Sequence, residues 1–388
     1  MTAESVEKDK TNEKEAAPFS KGLEGIVAAQ TTLSHVDGQA GRLFYEGIDI
    51  NELAQYSTFP EVCYLLFYGV LPNAQSLKKF SDELTGFREI SSDAQRILEG
   101  LPKDIHPMAM LRTMVSALSF GDPDPDNISK EALVQKGLRM TAKMPTVVAY
   151  FDRLRNGKKI IPPKKELSHA ANFLYMLTGK EPLPAHAKAL DAYLVLLADH
   201  SLNASTFAAR VTVSTLSDYY SGITSAIGTL KGNLHGSANQ RAMEMFLEIG
   251  ELANVDSYVK ELLQNHKKVM GFGHRIYKTE DPRATVFREI ARNICKNTPN
   301  QKWYEISEKI AEIVMREKKI YCNVDFYSAS VLYTIGIPVD LFTPIFAMSR
   351  VAGWSAHIIE QLADNRLIRP QAQYVGPTNK SYIPLAER

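Results

Sequence analysis

Leu190, Tyr193, Leu194 and Leu197 recur at three-to-four spacing through AKALDAYLVLLADH, which lays one apolar stripe on a helix ending near His200. The same period runs through residues 108–118, 210–219 and 303–313, and returns over 341–362. Together these stretches predict helices almost without interruption after residue 50. Residues 21–50 read differently. There TTLSH and GRLFYE are β-prone runs around Val36-Asp37-Gly38-Gln39, and Asp-Gly favours a tight turn, so a hairpin is expected. Prolines punctuate the helical stretches, as at Leu71-Pro72 and Ile161-Pro162-Pro163, where a helix is expected to stop. The regular strand–helix alternation of a doubly wound sheet is missing, and so is any repeat of fixed period. The fold class is mainly α, with a small N-terminal β-hairpin.

Two glycine-loosened or irregular joins divide this pattern: residues 228–239, GTLKGNLHGSAN, and the NVDFYS segment around Asp325. The expected organisation is a large helical domain from residues 21–234 and 326–388, interrupted by a smaller helical domain over 235–325. Hinges at the joins would let the two parts close over a ligand.

Composition narrows the classes. With 388 residues, 45% hydrophobic and 23% charged, the chain is ordinary globular material, long enough for two domains. Residues 1–20 mix acids and bases with hardly any large apolar side chain, which predicts a disordered, solvated tail. They lack the apolar core of a secretory signal, and their acids argue against a mitochondrial transit peptide. No run reaches the roughly 20 apolar residues of a membrane span, so a soluble protein is expected, and the cysteine usage fits a reducing cytoplasm. Lys plus Arg stand at 45 against 44 Asp plus Glu, giving no bulk attraction for nucleic acid or anionic membrane. Cys63, Cys295 and Cys322 have no metal-ligand spacing and form no CxxC, so neither a zinc site nor a disulfide framework is supported.

Candidate chemistry gathers on His200 in ADHSLNAS, His235 in NLHGSAN, His274 in GFGHRIYK and Asp325 in CNVDFYS, together with Arg283, Arg350 and Arg369. Each has an ordinary structural reading. His200 would cap the carbonyls of its helix, His235 would be a turn residue, and Asp325 would be the N-cap of a following helix. The arginines read singly as surface charges. Two residues resist such readings. His274 follows two glycines that let backbone approach a ligand closely, although GFGH lacks the third glycine of a dinucleotide fingerprint. Arg350 is framed by Phe346, Met348, Val351 and Trp354, poor surroundings for a solvated guanidinium, and a partly buried arginine requires an anion.

HExxH, a Walker A loop and a GxSxG elbow are all absent, so no metal is implied. Several arginines with histidines suit a small substrate bearing more than one carboxylate. An aspartate among those cations is expected to stay ionised, since positive charge lowers its pKa. A carboxylate base with neutral imidazole donors is equipment for removing a proton beside a carbonyl and stabilising the enolate.

GFGHRIYKTEDPRA, LHGSANQ, ADHSLNASTFAARV, NVDFYSASVLY and LFTPIFAMSRVAGWSAHIIEQ together resemble the citrate synthase family, in its shorter bacterial and archaeal form and including its sister 2-methylcitrate synthases. The likeness runs from near Lys21 to the C-terminus. It implies a two-domain helical fold and condensation of acetyl-CoA with oxaloacetate, followed by hydrolysis to citrate and CoA. It also implies roles. His235 would be a neutral donor to the acetyl thioester oxygen, His274 would protonate the oxaloacetate carbonyl, and Asp325 would take the methyl proton. His200, Arg283, Arg350 and Arg369 would bind substrate, with Arg369 reaching across a homodimer interface. The coenzyme A thioester would be a co-substrate, not a resident cofactor, lying along Val269, Met270 and Gly271 with Arg275 and Lys278 near its phosphates. Ser201 stands where the family commonly has glutamate, and Cys322 where proline is common. A propionyl-CoA-using 2-methylcitrate synthase, and a non-catalytic sensor of CoA or dicarboxylate, are the competing readings.

Overall fold

The computed structural model describes residues 19–388, so the expected tail falls almost wholly outside the described residues. Two units are present. One contains the described segment before residue 31 together with Arg369–Arg388; apart from short 3-10 turns at Lys21–Leu23 and Leu385–Glu387 it is irregular and largely exposed. The other is Thr31–Ile368, which holds the candidate residues other than Arg369.

The hairpin forms from Ser34–Asp37 and Arg42–Tyr45, antiparallel with Ser34 opposite Tyr45 and Asp37 opposite Arg42. Asp37 Oδ1 accepts the backbone N–H groups of Gln39 at 3.0 Å and Ala40 at 2.8 Å, so the turn expected at Asp-Gly is of Asx type. A third short strand, Ile48–Asp49, extends the sheet beyond the expected pair. Tyr45 is fully buried, and its hydroxyl donates to the carbonyl of Asp199 at 2.8 Å, pinning the sheet to the helical body beside His200.

Helices then dominate. The stripe of Leu190, Tyr193, Leu194 and Leu197 is the buried face of Pro184–Leu197. The other apolar periods appear as Pro107–Ala117, Gln301–Lys318 and Phe342–Ala363. Two expectations are corrected. Residues 210–219 are not one helix: Ala204–Ser214 stops, Leu216 adopts φ +65°, and Asp218 caps a new helix, Tyr219–Leu230, by accepting from Ser221 N–H at 3.0 Å. Nor does every proline end a helix. Pro145 sits inside Lys130–Arg155, where burial of nearly every residue from 140 to 152 overrides the local preference.

Phe342–Ala363 is apolar on almost all sides and buried accordingly, packed against Phe59–Tyr68, Lys130–Arg155, Pro184–Leu197 and Ala204–Ser214. Residues 231–237 are non-helical and lead into Ala238–Ile249. NVDFYS is a helix start, Val324–Thr334 capped by Asn323, and the irregular stretch lies just before it. Between the joins, Val255–Gln264, Pro282–Cys295 and Gln301–Lys318 supply the helical segment that carries His274 and Arg283.

Candidate active site

The loop bearing His274 is stitched to the chain that leads into Asp325. Gly273 N–H donates to Tyr321 O at 2.9 Å, Asn323 N–H to Gly271 O at 2.8 Å, and Asn323 Nδ2 to Gly273 O at 3.0 Å. Gly271 has φ +80°, and a methyl there would come within 2.8 Å of Phe326 Cβ. The close backbone approach that this glycine permits is therefore to Phe326. Downstream, His274 Nδ1 accepts the backbone N–H groups of Ile276 at 3.1 Å and Tyr277 at 3.2 Å. A backbone N–H only donates, so Nδ1 is the bare nitrogen and the neutral ring carries its proton on Nε2. Burial, aided by the charge of Arg283, lowers its pKa to about 4.

His235 has the opposite tautomer by the same logic. Its Nε2 accepts the backbone N–H of Ser205 at 3.3 Å and lies 2.8 Å from Ser205 Oγ, so its proton resides on Nδ1. Ser205 is held in turn by Trp354, whose Nε1 donates to its hydroxyl at 3.1 Å. Burial and then the charge of Arg350 push the His235 pKa down to about 4. Both rings are thus uncharged N–H donors near neutrality, one nitrogen of each being fixed by backbone.

Asp325 lies in the first turn of its helix but does not cap it; Asn323 does, accepting from Asp325 N–H at 3.0 Å. The Asp325 carboxyl has no hydrogen-bond partner among the described residues. Its pKa is raised to about 6, because burial outweighs the opposing charges of Arg283 and Arg350. That reverses the direction expected from the sequence, yet leaves the group mostly ionised at pH 7.

Asp281, which the sequence reading passed over, organises this corner. It caps Pro282–Cys295 by accepting from Arg283 N–H at 3.1 Å, and receives Val324 N–H at 3.2 Å. It also takes Arg283 Nε at 3.0 Å and Nη2 at 2.8 Å. Burial works against the Arg283 charge, but this carboxylate more than offsets it and raises the guanidinium pKa. The local signal was present: an Asp-Pro pair opening a helix two residues before an arginine.

Arg350 is buried with no ion pair among the described residues. Its Nε donates to Leu197 O at 2.7 Å and its guanidinium lies 4.7 Å from the Phe346 ring centre. Burial lowers its pKa. His200 does not cap its helix; it is buried, with Nε2 3.2 Å from the Tyr277 hydroxyl and its ring centre 5.3 Å from that of His274. Burial, then the charges of Arg283 and its neighbours, depress its pKa well below the usual histidine value. The structure thus brings His200, His235, His274, Arg283, Arg350 and Asp325 into one electrostatic neighbourhood: Arg350 acts on Asp325, His200 and His235, and Arg283 on Asp325, His200 and His274. Arg369 belongs to the terminal unit and is exposed there. Val269 is buried, Met270 is half-buried, and Arg275 and Lys278 are exposed on the same loop.

Among the described residues, no group of three or more His, Cys, Asp or Glu side chains is arranged to hold a metal ion, and no helix is long and apolar enough to cross a membrane. The chain matches the family model for citrate synthase, C-terminal domain, over residues 22–371. It is 47% identical over 376 residues to a citrate synthase of Haloferax volcanii, covering 95% of this chain and 99% of that one. It is 46% identical over 373 residues to citrate synthase 2 of Bacillus subtilis, again covering 95% and 99%. Among solved structures, the ternary complex of Thermoplasma acidophilum citrate synthase with carboxymethyl coenzyme A and oxaloacetate aligns with a TM-score of 0.91 at 36% identity, covering 96% of this chain and 100% of that one.

Proposed function

The chain belongs to the citrate synthase family, and from that premise we propose that it condenses acetyl-CoA with oxaloacetate and hydrolyses the product thioester to citrate and CoA. The observation that carries the reading is the pair of neutral imidazoles, His235 and His274, each with one nitrogen occupied by backbone N–H and the other left to donate.

Asp325 removes a proton from the acetyl methyl group. The developing enolate oxygen meets the His235 Nδ1–H, a preorganised donor whose loss typically costs about 10²–10³ in rate. The enolate carbon then attacks the ketone carbon of oxaloacetate, and His274 gives its Nε2 proton to the ketone oxygen. Arg350, buried and in no ion pair among the described residues, and Arg283 hold the carboxylates with His200. Water cleaves the citryl thioester, releasing CoA.

Three further parts belong to the same proposal. Residues 235–325 close as a smaller domain over the rest, bringing the His274 loop onto the substrates. The enzyme is a homodimer, and Arg369 enters the site of a second copy; its exposure in a terminal segment supports such an exchange. Val269, Met270 and Gly271 line the path of coenzyme A, with the exposed Arg275 and Lys278 available to its phosphates. Three unpaired cysteines are consistent with work in the reducing cytoplasm.

Steady-state thiol release with acetyl-CoA and with propionyl-CoA, each with oxaloacetate, tests the assignment. Acetyl-CoA is expected to give the higher kcat/KM. One methylene is worth only about 1–3 kcal/mol in a pocket, so measurable propionyl turnover is compatible, whereas a propionyl preference above about tenfold would make this a 2-methylcitrate synthase. Binding of either ester without thiol release would leave a sensor.

A further inference from the structure

The turn that carries His200 rests on one face of the Phe342–Ala363 helix, and its contacts are polar. Arg350 Nε donates to Leu197 O at 2.7 Å, Gly353 N–H donates to Ala198 O at 3.1 Å, and His357 Nε2 lies 3.3 Å from Asp199 Oδ2. Arg350, Gly353 and His357 thereby clamp three successive residues of the turn. The fit is tight: a methyl on Gly353 would come within 2.4 Å of both Ala198 O and Asp199 Oδ1.

Asp199 and His357 have no exposed side-chain surface, 0% each. His357 Nδ1 is 3.1 Å from Arg210 Nη1. A guanidinium only donates, so Nδ1 is bare and Nε2–H points its proton toward Asp199. Arg210 is itself neutralised by Glu360. Asp199 also accepts from Ser34 Oγ and from Ser201 N–H, the latter at 3.0 Å. Ser201 holds φ +52°, a left-handed conformation sustained by these bonds. Donors therefore run inward from Arg210, which also donates to the Glu360 carboxylate, through His357 and end on the Asp199 carboxylate.

A buried carboxylate and a buried arginine ordinarily form a direct pair, as Asp281 and Arg283 do, and removing one partner is costly. Asp199 is near enough for its charge to favour the Arg350 cation, yet it makes no ion pair with it among the described residues. Beyond the bond from Nε to Leu197 O, the guanidinium has no hydrogen-bond partner among the described residues. We propose that Asp199 and His357 are positioning residues, a buried relay that orients His200 and Arg350 and supplies Arg350 with a counter-charge that does not compete for the substrate carboxylate. This rests on the proposed function, in which Arg350 and His200 bind oxaloacetate.

The test compares His357→Leu, His357→Gln and Ser34→Ala with wild type by steady-state kinetics and thermal unfolding. His357→Leu is expected to raise KM for oxaloacetate about tenfold, the size expected for losing a hydrogen bond to a charged group, while KM for acetyl-CoA stays within about twofold. His357→Gln, whose amide reproduces one acceptor and one donor, is expected to restore the oxaloacetate KM to within about threefold. Ser34→Ala, which removes a donor at the other side of Asp199, is expected to raise it several-fold and carries the same test if His357→Leu fails to fold. A lowered Tm with no change in oxaloacetate KM would reduce the relay to packing and overturn the inference, as would a Gln variant no better than Leu. An inactive wild type would overturn the proposed function and this inference with it; an active wild type with unchanged variants would overturn the inference alone.

Discussion

Asp281 grips Arg283 through two parallel bonds, Nε to Oδ1 at 3.0 Å and Nη2 to Oδ2 at 2.8 Å, both partners buried. The same carboxylate receives Val324 N–H, so one side chain fixes the start of the helix carrying Arg283 and the start of the helix carrying Asp325. Removing it would leave a buried guanidinium uncompensated. Asp281→Ala is expected to lower unfolding stability by about 3–5 kcal/mol in a denaturant titration. An unchanged midpoint would mean that Arg283 finds another partner.

Arg350 differs in gripping a backbone carbonyl, Leu197 O, and no carboxylate among the described residues. Arg350→Leu should therefore be tolerated by the fold but should damage substrate capture. The expected result is an oxaloacetate KM raised by about 10²-fold with a Tm near wild type, as befits loss of a charge-assisted carboxylate contact. An unchanged oxaloacetate KM would remove Arg350 from the site.

The pH profile separates the base from the donors. Asp325, with its pKa raised to about 6, must be ionised to act, so kcat/KM should fall as pH drops through about 6. His235 and His274, with pKa values near 4, stay neutral across that window and contribute no limb there. An acid limb absent between pH 5 and about 7 would contradict the assignment.

His169 offers a stability test away from the chemistry. It is buried against Phe59, neither ring nitrogen has a partner among the described residues, and burial lowers its pKa to about 3. Its folded pKa lies below the ordinary histidine value of 6.5, so the unfolded chain binds more protons between those values. Stability from keeping it neutral is complete above 6.5 and is lost as pH falls toward 3. His169→Leu should lessen the loss on going from pH 7 to about 5, read from urea midpoints. A variant losing as much as wild type over that interval would show that His169 is not the titrating group.

Much of this was legible because periodicity and local motifs are short-range signals. The stripe ending at His200, the hairpin, the LHG and GFGH histidines and the apolar frame of Arg350 can all be read within a few residues. What escaped depends on distance. The break at Leu216 is set by its left-handed turn and the Asp218 cap inside a continuing apolar period. Asp199 pairs with His357, 158 residues away, and neither signals the other locally. The Asp325 pKa was read in the wrong direction because nearby arginines are visible in a sequence whereas desolvation is not.

The central claim is that Asp325 is the base. Thiol release by Asp325→Asn, alongside calorimetric oxaloacetate binding, tests it most directly. The account predicts binding close to wild type and turnover reduced by about 10³-fold or more, as for loss of an essential catalytic group. Turnover near wild type in a variant that binds oxaloacetate normally would contradict it.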